Sequence, residues 1–398
     1  MSRTCARQPP VPFSLMPPLA SNVVELTQAL VRIPSVNPDG APGTDGIGEE
    51  QCARYIASFL QASGAEVVLE EVEPGRPNVI GRFRTHQSAN GGRKPRIIFA
   101  PHTDTVSVGG MTIEPFGGEL RDGKVWGRGS SDTKGPMASM LWALHEMRDE
   151  IPSLPVEVHF VGFMSEESAQ LGSQHFAKHH GRYDLAIIGE PTSLKTVFRH
   201  KGCLWADVHT TGVAVHGATP HLGVNAIVKM AKLVTALDTE FRKTLAEASG
   251  EDEWLGVSTI NLGMIQGGTR SNIVADSCKL RVDIRTTPGL QRAGGALALL
   301  TEFVQRIDET ARVTVASEAF HLDTDPGNPL VQKLLAAGSE LTGAPWFCDA
   351  AFLSVAGTPA IAIGPGSIAQ AHTKDEFIAV SDLEAGVAFF RRFLAGLK

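Results

Sequence analysis

The stretch Ile97-Ile98-Phe99-Ala100-Pro101-His102-Thr103-Asp104-Thr105-Val106 decides how this chain is read. Four consecutive apolar residues, with Pro95 and Pro101 on either side, suit a short strand covered on both faces. In open α/β sheets, ligands bind where such strands end. His102 and Asp104 therefore stand where chemistry is expected. One His-x-Asp pair is weak evidence, but the same grammar recurs three times. The apolar run 158–164 leads into Ser165-Glu166-Glu167, the run 185–189 into Glu190, and the run 361–364 through a glycine-rich loop to His372. Each delivers an acid or a histidine just past its end.

Outward from these strands, the 398 residues are long for one core and favour two domains. The balance of 36 basic and 43 acidic residues, net charge -7, argues against a nucleic-acid or anionic-membrane partner. The five cysteines are scattered, with no Cys-x-x-Cys pair, so neither a disulfide framework nor a thiolate zinc site is indicated. A reducing cytoplasm is the simplest location. No run reaches membrane-spanning length.

Residues 1–20 hold Pro9-Pro10 and Pro17-Pro18 and read as an irregular leader without the apolar run of a secretory signal. Asn22 caps a helical pattern over 23–31, and a second helix is expected over 49–62. The tract 87–94 reads as a polar loop. Asp132 lies in a glycine-rich segment just before a helix that Pro136 opens. From about Cys203 the strands alternate (205–211, 273–277, 279–285), which predicts half-buried antiparallel strands, with helices over 225–239 and 291–307. The fold class expected is α/β. A mixed, mostly parallel sheet flanked by helices forms a catalytic domain (21–202 and 318–398), and a smaller α+β domain (203–317) is inserted in it. The chain returns through a helix over 329–342, a strand over 360–364 and a helix over 381–397.

His102, Asp104, Asp132, Glu166, Glu167, Glu190 and His372 together are a thiolate-free set that suits Zn, Co or Mn. There are enough ligands for two ions with one carboxylate shared. Two such ions about 3.5–4 Å apart lower the pKa of a water between them toward about 7, which suits hydrolysis. Asp104 is placed to accept the second ring N–H of His102. Glu166 and Glu167 can serve one site only if the chain turns after Ser165, since strand neighbours point to opposite sides. One would then bind metal and the other take a proton.

These motifs resemble the M20 family of metallopeptidases and deacylases over nearly all of the chain from Val23 to Leu397. The matching segments are Pro101-His-Thr-Asp104, Gly127-Arg-Gly-Ser-Ser-Asp132-Thr-Lys-Gly135, Ser165-Glu-Glu167, Gly189-Glu-Pro-Thr192 and Ala371-His372. The resemblance implies two divalent ions, zinc first and cobalt second. Asp132 would bridge them, His102 and Glu190 would hold one, Glu167 and His372 the other, and Glu166 would be the general base. It also implies a cis peptide after Asp132 and a homodimer formed through the inserted domain. There His216, in Gly212-Val-Ala-Val-His216-Gly-Ala-Thr-Pro220, would reach the partner's site, and Asn272 and Arg285 would bind substrate. Three stretches look most like the acetylornithine deacetylase branch: Ile188–Lys195 with His200-Lys-Gly202, Asn261-Leu-Gly263 followed by Gly267-Gly268, and Gly364–Glu376. The expected substrate is a small N-acyl-L-amino acid. A dipeptidase or carboxypeptidase on the same scaffold is the alternative, and a non-catalytic binding protein a remote one. Trp346-Phe-Cys-Asp349 departs from the small-residue run the family often carries there, which leaves the side-chain preference open.

Overall fold

The computed structural model describes residues 19–39, 47–86 and 92–398, so most of the 1–20 leader and most of the 87–94 loop lie outside the described residues. In order, the elements begin with α1 (Val23–Arg32), α2 (Glu50–Ala62), β1 (Ala65–Glu73), β2 (Arg76–Phe83), β3 (Arg96–Phe99), β4 (Glu119–Arg121), β5 (Lys124–Trp126) and α3 (Lys134–Glu146). There follow β6 (Glu157–Gly162), α4 (Leu171–His179), β7 (Leu185–Ile188), β8 (Thr196–His200) and β9 (Gly202–Thr211). Next come α5 (Ala226–Ala236), α6 (Arg242–Ser249), β10 (Thr259–Gly267), β11 (Ser277–Thr286), α7 (Pro288–Arg292), α8 (Ala296–Ile307), β12 (Arg312–Ala319) and β13 (Leu322–Asp323). The chain ends with α9 (Pro329–Ala336), β14 (Leu341–Ala344), α10 (Ala350–Val355), β15 (Ala360–Ala362), β16 (Phe377–Ala379) and α11 (Val380–Ala395).

Two compact units result. The first takes its described residues from Met1–Val197, Thr324–Leu341 and Cys348–Lys398, the second from Phe198–Asp323 and Thr342–Phe347. In the first, a mixed sheet runs β1-β2-β6-β3-β7-β15 and on into β8. Its central strands β6, β3, β7 and β15 are parallel, and β1–β2, β2–β6 and β15–β8 are antiparallel. Ile97, Ile98 and Phe99 are fully buried, as a strand covered on both faces requires. Phe99 meets Phe390 and Phe393 of α11 edge-on, with ring centroids 5.7 and 6.3 Å apart. Asn22 caps α1 by accepting the Glu25 N–H at 2.9 Å.

The second unit is an antiparallel sheet in the order β10-β11-β9-β12. Alternate residues Leu204, Ala206 and Val208 of β9, and Leu280, Val282 and Ile284 of β11, form its core with Met230, Leu233, Phe241, Leu300 and Phe303 from the helices. The opposite face carries ion pairs such as Arg281 Nε to Asp207 Oδ1 at 2.8 Å.

Three elements depart most from expectation. The helix expected over 329–342 stops at Ala336, because Gly338 takes a φ of +105° and β14 follows. The helix over 291–307 is split into α7 and α8 by Gly294 and Gly295, with φ of +103° and +86°. The segment 273–276 forms only an isolated bridge, Ile273 to His216, before β11 begins.

Candidate metal centre

Strand ends assemble the site. His102 follows β3 through Pro101 and continues the pairing as a bridge to Phe163, just past β6. Glu190 follows β7 after one glycine. Asp132 sits before α3, and the Asp132–Thr133 peptide is cis, as the resemblance implies. The Thr133 hydroxyl donates to the Gly189 carbonyl, which ties this loop to the strand that carries Glu190.

The chain does turn after Met164. Ser165 adopts a φ of +66°, uncommon for a residue with a side chain. The turn is held by Asp104, whose carboxylate accepts the Glu166 N–H and the Glu167 N–H, each at 3.0 Å, and the Asn37 amide at 2.7 Å. Asp104 is therefore committed mainly to backbone. Nδ1 of His102 lies 3.0 Å from the Asp104 main-chain carbonyl and 3.5 Å from its carboxylate, so the nearer ring partner is the carbonyl. Burial opposes ionisation of Asp104, but His102, Asn37 and the Glu167 N–H together hold its carboxyl below the usual range.

His102, Asp132 and Glu167 offer ligand atoms within 4.8 Å of one another. Asp132 faces both imidazoles, with Oδ1 3.2 Å from His102 Nε2 and Oδ2 3.4 Å from His372 Nε2. His372 Nε2 also lies 3.0 Å from Glu167 Oε2. Burial raises the Asp132 pKa, but both imidazoles outweigh it and lower the carboxyl. Burial raises the Glu190 pKa well above the ordinary value, and the charges of Asp132, Asp349 and Glu167 add to this against the opposing His102. Glu166 is also pushed well up, by burial first, then by Glu190, Asp349 and Glu167 against His102. Oε1 of Glu167 and Oε1 of Glu190 are buried and meet no protein donor. Buried carboxylate oxygens are normally paired, so these orphans fit a cation held by the cluster.

Two acids here escaped the sequence reading. Glu376, four residues after His372, is buried, and its Oε1 accepts the Ser131 and Asp132 N–H groups at 2.8 and 3.0 Å. Its Oε2 accepts the Gly129 N–H at 2.9 Å and Arg128 Nη1 at 2.8 Å. Its signal was present in the spacing His372-Thr-Lys-Asp-Glu376, but nothing local says that a distant loop supplies the donors. Asp349 is buried, accepts the Ser173 hydroxyl at 2.5 Å and leaves Oδ2 unpaired. Burial pushes it up to about 7, with Ser173 and His102 opposing.

The second unit carries the remaining candidates. The Ala218 N–H donates to His216 Nδ1 at 3.1 Å, and His216 is exposed. Asn272 is adjacent, its carbonyl accepting the Gly217 N–H at 2.8 Å. Arg285 is elsewhere. It lies near the end of β11 paired with Cys203, donates to Asp283 at 3.0 Å and sits 5.5 Å from the Phe347 ring centroid. From Ser277 to Arg285 the extended strand covers roughly 27 Å. Asn272 lies five residues before Ser277, so Asn272 and Arg285 belong to opposite ends of this strand.

Residues 98–396 match the family model described as Peptidase family M20/M25/M40. The chain belongs to peptidase family M20/M25/M40. An acetylornithine deacetylase of Proteus mirabilis is 32% identical over 373 residues, covering 91% of this chain and 93% of that protein. The fold matches an aminopeptidase, PepT, from Bacillus cereus with a TM-score of 0.74 at 20% identity, covering 94% and 98% of the two chains. It also matches an M20 family metallo-carboxypeptidase from Sulfolobus solfataricus with a TM-score of 0.73 at 18% identity, covering 95% and 99%. This M20 hydrolase therefore has the two-part α/β architecture of its structural neighbours and a possible metal-binding group at its strand ends. Among the described residues no helix is long and apolar enough to cross a membrane.

Proposed function

We propose that this M20 hydrolase is a two-metal deacylase of N-acyl-L-amino acids, with N-acetyl-L-ornithine its first candidate substrate. The observation that carries the reading is the convergence of His102, Asp132, Glu167 and His372 with orphaned, buried oxygens on Glu167 and Glu190. Asp132 would be shared between two zinc ions, His102 and Glu190 holding one and Glu167 and His372 the other. When bound, such ions supply Lewis acidity to the amide carbonyl and make water acidic enough to yield hydroxide at neutral pH. Glu166 accepts the proton from the attacking water and returns it to the departing amine. Asp104 positions Glu166 by holding its main-chain N–H. Arg285 offers a planar fork to the substrate α-carboxylate.

The identity and coverage of the acetylornithine deacetylase relative support the acyl-amino-acid reading. The peptidase likenesses support the fold alone, and a dipeptidase remains the competing assignment. Cys52, Cys203, Cys278 and Cys348 are buried and free, which fits a reducing compartment. The assignment is tested by turnover of the zinc-loaded protein across N-acyl amino acids and dipeptides. Cleavage of N-acetyl-L-ornithine supports it. Efficient dipeptide cleavage with no turnover of any N-acetyl amino acid moves the chain to the dipeptidases.

We further propose a homodimer in which His216 and Asn272 of one copy complete the site of the other. Mixing Glu166→Gln with His216→Ala protein tests this, since each parent is impaired but one site of the mixed dimer keeps both residues. Random subunit exchange should restore about a quarter of wild-type turnover. No recovery after verified exchange would place His216 in its own chain's site or outside catalysis.

A further inference from the structure

The strands that end at the metal centre begin at a second concavity in the same unit. Arg96 opens β3 six residues before His102, and Asp184 precedes β7 six residues before Glu190. At about 3.3 Å per residue, the two regions lie roughly 20 Å apart along the sheet. The concavity has a volume of about 720 Å³, and its lining includes Arg93, Arg96, Arg182, Tyr183, Asp184, Asn328 and Gly357.

Its lining charges are three guanidinium groups against one carboxylate. Asp184 is engaged by protein donors: its two oxygens take Arg93 at 2.9 and 3.0 Å, and one also accepts the Arg96 main-chain N–H at 2.8 Å. Arg96 lies over the Tyr183 ring, 4.5 Å from its centroid, and donates Nη2 to the Arg182 carbonyl. Its Nε–H is buried and meets no protein acceptor. Among the described residues no carboxylate engages the Arg182 guanidinium. That group rests against Gly357, where a Cβ would come within 2.6 Å of Arg182 Nε. The glycine thus leaves room for an arginine that meets no carboxylate among the described residues. Asn328, also in the lining, caps α9, whose positive dipole end adds to the potential.

We propose that this concavity binds a small anion with paired oxygen acceptors, a phosphoryl group or a dicarboxylate, held by Arg182 and Arg96. The guanidinium fork matches both groups. The site is separate from the hydrolytic centre and does not depend on which amide that centre cleaves.

The test is titration calorimetry of the metal-loaded protein at low ionic strength with inorganic phosphate and, separately, with succinate. Saturable one-to-one binding of either is expected, weakened at least ten-fold in Arg182→Ala and less in Arg182→Lys. Arg182 is exposed, so both variants should fold, and their turnover without added anion should match wild type. A preference for phosphate marks a phosphorylated ligand, and a preference for succinate a carboxylic one. Saturable heat of equal affinity in Arg182→Ala, anion binding that competes with substrate, or no binding of either probe would overturn the proposal.

Discussion

Replacing Glu376 with glutamine asks whether the Asp132 loop is held by a single buried carboxylate. In the native arrangement four N–H donors, from Arg128, Gly129, Ser131 and Asp132, converge on its two oxygens. Glutamine keeps the shape, but one of its two ends becomes an NH₂ group that points at donors. It also leaves Arg128, whose side chain is 4% exposed, without its counter-charge. Removing one partner of a buried ion pair costs about 3–5 kcal/mol. Glutamine retains one acceptor oxygen, so the expected loss is near the lower end, about 3 kcal/mol, read from chemical denaturation of the metal-free protein. The second readout is zinc affinity by chelator competition. Groups that orient metal ligands typically contribute about 10- to 100-fold in affinity, and the loss should fall on binding that uses Asp132. Glu376→Asp keeps the charge but is one methylene short, and should give intermediate values of both. If Glu376→Gln unfolds at the wild-type midpoint and binds zinc within two-fold of wild type, the loop is organised by something else.

Glu166→Gln should keep its metal content and melting temperature while turnover falls about 10²–10⁴-fold or more; Glu167→Gln should bind one metal more weakly and recover in part with excess metal. If the two phenotypes are exchanged, so are the roles. Chelation should abolish turnover reversibly, and analysis at saturation should give two ions per chain; full activity with one ion refutes the two-metal reading. His159 is pushed down to about 4 by burial first and then by Arg82, Arg96 and His180. The unfolded chain therefore binds the proton more readily, and this stability is present above pH 6.5 and lost as pH falls through about 4. The most it can contribute is about 3 kcal/mol, and His159→Gln should flatten that part of the stability profile relative to wild type. An unchanged slope between pH 6.5 and 4 would show that His159 does not carry it.

The parts of the fold legible in the sequence are those where pattern and burial coincide. Ile97 to Phe99 and the Leu185 run announce central parallel strands because a strand buried on both faces has no polar positions to interrupt it. The alternation of β9 and β11 is legible for the opposite reason, one face being wet. Residues Asn225 to Ile307 were harder. Helical spacing runs through Gly294 and Gly295, and only their positive φ angles show where α7 stops and α8 begins. At the site, His102, Asp132, Glu166, Glu167, Glu190 and His372 were all visible as polar residues just past apolar runs or in a glycine-rich loop. Glu376 was not, because its role depends on donors more than 240 positions away. That Asn272 and Arg285 belong to opposite ends of β11 was also hidden, since it follows from where the strand begins and ends and not from either motif.

Hydrogen bonding divides the acids of this region into two kinds, a division that residue type alone could not make. Asp104 and Glu376 are as buried as any of them, yet their oxygens are filled by main-chain N–H groups of the segments that carry Glu166, Glu167 and Asp132. A carboxylate satisfied in this way has little to offer a cation and much to offer the geometry of its neighbours. Glu167 and Glu190 each keep a buried oxygen with no donor, a costly arrangement unless something positive completes it. Asp132 lies between these kinds, its main-chain N–H given to Glu376 and its two oxygens given to two imidazoles. An acid whose backbone is fixed and whose oxygens both face outward to nitrogen ligands is the one best placed to be shared. The central role proposed for Asp132 thus rests on the second carboxylate that holds it in place.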